Sequence, residues 1–160
     1  QERIYPVGRL DKDSEGLLLM TNQGELANEI MHAGNFHEKE YLVTVDQPFN
    51  AAFLKKMREG VELKELGVTT RPCKVEAAGV KTFRIILTQG LNRQIRRMCA
   101  ELGYRVVTLK RVRIMNIHLG KLNTGDFRRA TPKELEELEW QLEQARLERE
   151  EAELLAGQDE

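Results

Sequence analysis

Residues 81–119 read KTFRIILTQGLNRQIRRMCAELGYRVVTLKRVRIMNIHL. The period of the apolar residues changes twice within them. Lys81–Thr88 is a run of strand length, and Gln89-Gly90-Leu91-Asn92 is a tight connection out of it. From Arg93 to Leu102, the residues Ile95, Met98, Cys99 and Leu102 fall at i, i+3, i+4 and i+7, one face of an amphipathic helix that Gly103 stops. Tyr104–Leu119 is rich in β-branched residues and predicts two strands around a bend. Strand, helix and strands follow one another here without the regular alternation of a parallel βαβ fold. The fold class this implies is α+β, a mixed, largely antiparallel β-sheet with flanking helices against one face.

The rest of the chain extends the same pattern. Gly16–Thr21 reads as a strand after a polar turn at Gly8–Ser14, and Glu25–His32 as a short helix stopped near Gly34. Lys39–Asp46 alternates cleanly, with Tyr41, Val43 and Val45 on one face, and Pro48 ends it. Ala51–Arg58 predicts a helix and Val68–Glu76 a strand. Thr131-Pro132-Lys133-Glu134 has the N-cap, N1 proline and N3 glutamate of a capping box. It opens a long helix with a stripe of Leu135, Leu138, Leu142, Ala145 and Leu147, expected to reach about Leu155 and to lose order beyond it. Two regions follow: a body at 1–130 and an acidic C-terminal helix and tail at 131–160.

Length and charge bound the function. The 160 residues suit one domain. The longest apolar run, Leu17–Met20, is far too short to cross a bilayer, and the chain reads as cytoplasmic with no membrane partner. Cys73 and Cys99 lack metal-ligand spacing and read as reduced, buried small hydrophobes. The net charge of −1 hides a division: residues 1–130 carry +7 and residues 131–160 carry −8. Between 91 and 113, Arg93, Arg96, Arg97, Arg105, Lys110, Arg111 and Arg113 face Glu101 alone. Such clustering is the footprint of a polyanion partner, against the plainer reading of a solvated basic face.

The segment Gly8-Arg9-Leu10-Asp11-Lys12-Asp13-Ser14-Glu15-Gly16 gathers three acids and two bases. As a surface turn its acids would bond their own backbone; as a functional loop it presents a carboxylate beside cations. It lacks the spacing of a calcium loop, and Arg9 and Lys12 oppose a divalent metal, so no metal site is expected.

GRLDKDSEGLLLMTNQGELAN at 8–28, HEKEYLVTV at 37–45 and QGLNRQIRRMCAELGY at 89–104 together resemble the three ordered motifs of the bacterial rRNA pseudouridine synthases of the small-subunit-modifying subfamily and its large-subunit relatives, with the wording closest to a large-subunit, 23S rRNA enzyme. The resemblance covers about residues 3–130. It implies the pseudouridine synthase catalytic fold, isomerisation of uridine to pseudouridine within RNA, and no cofactor or metal. It also implies that strands and an S4-type RNA-binding domain precede the first motif, so that the chain is a catalytic-domain fragment. The family's indispensable aspartate carries over to Asp11, its second-motif tyrosine to Tyr41 and its third-motif basic residue to Arg96. Asp13 is expected to take no part in the chemistry.

Bond migration at a sugar carbon needs an ionised carboxylate, as nucleophile at the anomeric carbon or as base at its neighbour, and the sequence leaves both open. A guanidinium is the obvious counterweight to its burial. Helical spacing places Arg96 beside the apolar stripe, facing inward, with Arg93 and Arg97 nearly opposite and free for phosphates. The residues expected to bind RNA are Arg9, Lys12, Lys39, Asn92, Arg93, Arg97, Arg111 and Arg113. The partner expected is ribosomal RNA, a 23S stem-loop, and the protein is expected to be a monomer. The competing readings are an RNA-binding fragment without catalysis, and hydrolysis of the same glycosidic bond.

Overall fold

The computed structural model describes residues 3–158. In chain order the elements are β1 (Tyr5–Val7), β2 (Glu15–Gly16), β3 (Leu19–Thr21), α1 (Gly24–Met31), β4 (Lys39–Val45), α2 (Ala51–Glu59), β5 (Glu62–Leu63), β6 (Val68–Thr69), β7 (Lys74–Ala77), β8 (Thr82–Leu87), α3 (Gln94–Glu101), β9 (Val106–Ile114), β10 (Ile117–His118) and α4 (Pro132–Gln158). The central sheet runs β10-β9-β4-β8-β7 with antiparallel neighbours, and β2 joins it by parallel pairing to β9. The expected α+β class, mixed and largely antiparallel, is the one observed.

The alternation in β4 sets the layers, because directly opposed residues of antiparallel strands share a face. Val43 and Val45 lie on the face that carries Phe83 and Ile85 of β8 and Leu109 of β9. Phe53 and Met57 of α2 and Ile95, Met98 and Cys99 of α3 pack on them in one buried cluster. Tyr41 and Lys39 continue the same face toward the other end of the strand. A β-bulge interrupts the β4–β9 ladder between Glu40 and Tyr41, so that Tyr41 opposes Arg111 while Glu40 opposes Arg113. One extra residue, Val112, therefore sends two arginines that strict alternation would put together to opposite faces of the sheet.

Three elements of the body differ from the sequence expectation, each for a physical reason. The strand expected at Gly16–Thr21 is two short strands: β2 pairs with β9, and β3 leaves to pair with β1, which sequence patterning missed. Gly16 is where they part; it has φ +114°, and a Cβ there would sit 2.2 Å from the Arg111 carbonyl oxygen. The strand expected at Val68–Glu76 is also divided, β6 pairing with β5 and β7 with β8. Pro72 lies in the gap, where a residue without an N–H costs no ladder bond. The helix expected from Arg93 begins at Gln94, since Arg93 has φ +49° and stands outside it as the N-cap.

The capping box of α4 is present in both directions, Glu134 N donating to Thr131 Oγ1 (3.1 Å) and Thr131 N to Glu134 Oε1 (2.8 Å). Leu138 and Leu142 enter a second buried cluster with Val7, Leu17, Ile30, Ile114 and Ile117, whereas Leu135 and Leu147 stay exposed. The helix runs to Gln158, past the expected end near Leu155; Gln1, Glu2, Asp159 and Glu160 lie outside the described residues. Nor is its polar side wholly solvated, as Arg149 donates to Glu29 of α1 and to Asn35. Cys99 is buried and Cys73 partly so, and burial pushes their thiols up to about 12 and about 11. No helix among the described residues is long and apolar enough to cross a membrane.

Candidate active site

Toward the Lys39 end of β4 the inward face opens into a cleft of about 390 Å³. Lys39, Tyr41, Leu87 and Arg111 line it from the sheet, Gly8–Asp11 with Ser14 and Glu15 from the first loop, and Gln89–Ile95 from the turn that opens α3. All three sequence motifs thus meet in one place. The first loop is fastened from below: β2 pairs with β9, Arg111 Nε donates to Leu17 O (2.8 Å) and Arg111 Nη1 to Arg9 O (3.3 Å). Arg111 is only 3% exposed. Its fixed planar fork bridges two backbone carbonyls on either side of the carboxylate-bearing turn.

Within that turn Ser14 N donates to Asp11 O (2.9 Å), and the two aspartates are treated differently. Asp13 receives both terminal nitrogens of Arg93 (3.0 and 2.7 Å), while Arg96 Nη2 donates to the Asp13 carbonyl (2.6 Å) and Arg96 Nε lies 3.4 Å from its carboxylate. The Arg93 fork holds the Asp13 carboxyl down at about 2. Asp11 lies 3.8 Å from Arg93 Nη1 and is 36% exposed. Its carboxylate accepts no hydrogen bond among the described residues. The structure therefore presents one saturated carboxylate and, two residues before it, one left open to the cleft.

This corrects the assignment of faces drawn from helical spacing. The guanidinium nearest Asp11 is that of Arg93, not Arg96. Counting 100° per residue back from Ile95 fails at Arg93, because the left-handed backbone there stands outside the helix and turns its side chain toward the loop. Arg96 lies behind the loop with Arg93 and Arg97 on a second hollow, next to Asp13 rather than on the cleft wall. Arg97 is not free either: it bonds Asn92 twice, both at 2.9 Å, and reaches Glu65 at 2.5 Å.

The other residues expected to meet RNA divide sharply. Arg9 and Lys12 are exposed on the first loop, and Arg93, 40% exposed, stands at the cleft mouth. Arg113 is on the far face of the sheet, where the bulge directs it, donating to Glu40 (3.1 Å), Glu38 (3.3 Å) and Met115 O (2.7 Å). Arg111 is a buried support rather than a surface cation. Lys39 is on the cleft floor, where burial and then the Arg111 charge push its ammonium below the usual lysine range.

Sequence reasoning missed three contributors. Asp13, expected to take no part in the chemistry, fastens Arg93 and Arg96 to the loop, a structural part that the expectation did not include. The Ser14 hydroxyl lines the cleft, buried and without a partner in the structure. Buried Gln94 braces the turn by accepting from Leu91 N (3.2 Å); a polar residue one turn before Met98 on the buried side of α3 was its available signal. Among the described residues no three His, Cys, Asp or Glu side chains are grouped so as to hold a metal ion.

Comparison with known proteins finds relatives of the chain. The family model for RNA pseudouridylate synthases matches residues 1–101. The dual-specificity RNA pseudouridine synthase RluF of Escherichia coli (strain K12) is 53% identical over 137 residues, covering 86% of this chain and 47% of that protein. The ribosomal large subunit pseudouridine synthase B of Bacillus subtilis (strain 168) is 38% identical over 143 residues, covering 86% of this chain and 58% of that protein. A crystal structure of a pseudouridylate synthase superposes with a TM-score of 0.81 at 33% identity, over 84% of this chain and 59% of that one. The chain spans about half the length of these relatives.

Proposed function

As the chain belongs to the RNA pseudouridylate synthase family, we propose that it isomerises a uridine of ribosomal RNA, in a 23S rRNA stem-loop, to pseudouridine without a cofactor, acting as a cytoplasmic monomer. The observation that carries this is the Asp11 carboxylate, open to a cation-lined cleft and held there by a neighbour, Asp13, that absorbs the competing arginines. The cleft volume falls in the range of about 300–1,000 Å³ usual for sites that bury a small ligand. A paired uridine cannot reach Asp11, so the nucleotide is turned out of its stack into the cleft.

Asp11 acts as an ionised group, bonding to C1′ or taking the C2′ proton as the N-glycosidic bond breaks. Arg93 keeps a positive charge beside it through the cycle. Tyr41, fixed by its place in β4, offers its ring as a surface for the detached uracil while that base turns. Arg96 works through Asp13, holding the loop rather than touching the substrate. Arg9 and Lys12 on the exposed side of the loop take RNA phosphates.

The test is conversion in a 23S rRNA stem-loop read by a pseudouridine-specific chemical label. The protein is expected to convert one uridine. Asp11→Asn loses at least about 1,000-fold in turnover while binding RNA within about threefold, since the amide keeps the shape and removes the charge. Free uracil as the product would make the protein a hydrolase, and tight binding without product would make it an RNA-binding module.

A further inference from the structure

Two cations of the cleft have no carboxylate. Lys39 shares the inward face of β4 with Tyr41, two residues away, and its ammonium has no hydrogen-bond or ion-pair partner among the described residues. Arg111, opposite Tyr41 on β9, holds two carbonyls with Nε and Nη1 and leaves Nη2 buried and unpartnered. Two like charges side by side in a part-buried site oppose one another until an anion arrives. Burial first, and then the Arg111 charge, lowers the Lys39 ammonium below the usual lysine range. A uridine ring entering the cleft is neutral, and Asp11 has Arg93. The missing anion is one that the reaction itself makes.

Building on the uridine-isomerising reading of the cleft, we infer that Lys39, backed by the fixed charge of Arg111, is the site that receives the uracil ring as an anion when it leaves the ribose. As the C1′–N1 bond breaks, its electron pair stays with the ring and spreads to O2 and O4. C1′ gains a bond to an Asp11 oxygen, or C2′ gives its proton to Asp11. The Lys39 ammonium bonds one ring carbonyl oxygen, which grows more negative as the bond lengthens. The ring then turns, C5 forms the new bond to C1′, and Asp11 is released or returns its proton to C2′. C5 loses one proton and N1 gains one, so no oxidant or reductant enters. An ammonium that meets a neutral ring in the ground state and an anionic one in the transition state raises turnover rather than affinity.

The experiment compares Lys39→Met and Lys39→Arg in the whole protein, on one stem-loop carrying uridine or 5-fluorouridine at the target, in single turnover. Fluorine stabilises the uracil anion, so a lost cation matters less to it. Lys39→Met is expected to slow loss of the uridine N-glycoside at least 100-fold and that of 5-fluorouridine no more than about 10-fold. RNA affinity stays within threefold, and Lys39→Arg recovers most of the rate. The melting temperature of Lys39→Met does not fall, because an opposed charge has been removed. Equal slowing on both substrates overturns the assignment, and if the variant also melts lower, Lys39 is a structural residue. Weaker RNA binding with a shallower salt dependence and unchanged turnover makes Lys39 a phosphate anchor instead. Failure of the unaltered protein to convert uridine fails the reading of the cleft itself, an outcome distinct from all of these.

Discussion

The two faces of the central sheet carry cations under opposite conditions. On the far face, Arg113 and Arg84 meet Glu40, and Arg113 also meets Glu38. On the cleft face, Lys39 and Arg111 meet no carboxylate among the described residues. Neighbouring strands and the same residue types thus give a neutralised lattice on one side and an excess of charge on the other. A guanidinium or ammonium that the fold satisfies belongs to the fold; one that it leaves unsatisfied is kept for something that arrives.

The largest test of that contrast is Arg111→Met. It leaves the Leu17 and Arg9 carbonyls without their donor and frees the first loop, so activity should fall at least 100-fold and denaturant melts should lose about 1–3 kcal/mol, the cost of buried polar groups left unpaired. Arg113→Met on the far face is expected to invert the profile. Removing one member of a part-buried network costs about 2–4 kcal/mol in the same melts, while turnover of the folded protein stays within threefold. Comparable activity losses in the two variants would break the comparison.

A smaller effect is expected at Asp13. Asp13→Asn weakens the hold on Arg93 and lowers turnover about 10-fold, well short of the loss for Asp11→Asn. Because the Arg93 pair depresses this carboxyl from 3.8 to about 2, the pair is complete above the ordinary value and is lost only as pH falls through about 2. NMR titration should place the Asp13 midpoint near 2 and return it toward 3.8 in Arg93→Gln. The smallest effect belongs to α4, whose carboxylates mostly stand in water. Removing residues 150–160, which spares Arg149 and its contacts with α1, should change RNA affinity less than threefold at physiological salt, where screening acts over about 8 Å.

What the sequence disclosed and what it hid follow the range of the interactions. The α3 stripe, the alternation of β4 and the capping box at Thr131 are set by neighbours a few positions away, and all three are present. The first motif, read with the other two, pointed to Asp11, which does face the cleft. The division of Gly16–Thr21 into two strands was hidden because its cause is the backbone of Arg111, remote in sequence. The separation of Arg111 from Arg113 was hidden because it turns on a single bulged residue, which leaves the pattern of residue types unchanged. The exchange of Arg93 for Arg96 beside Asp11 came from one left-handed residue, where a count of helical angles has no validity.

The tie between Arg111 and the first loop sets an order in time. Arg111 holds carbonyls that lie 94 and 102 positions earlier in the chain. Contacts so remote form late, after the entropy of closing a long loop has been overcome. During synthesis Asp11 emerges well before Arg111 and has nothing to anchor it until β9 has followed. A growing chain that stops short of β9 displays the aspartate motif without the cleft, so the complete cleft is acquired in a single late step.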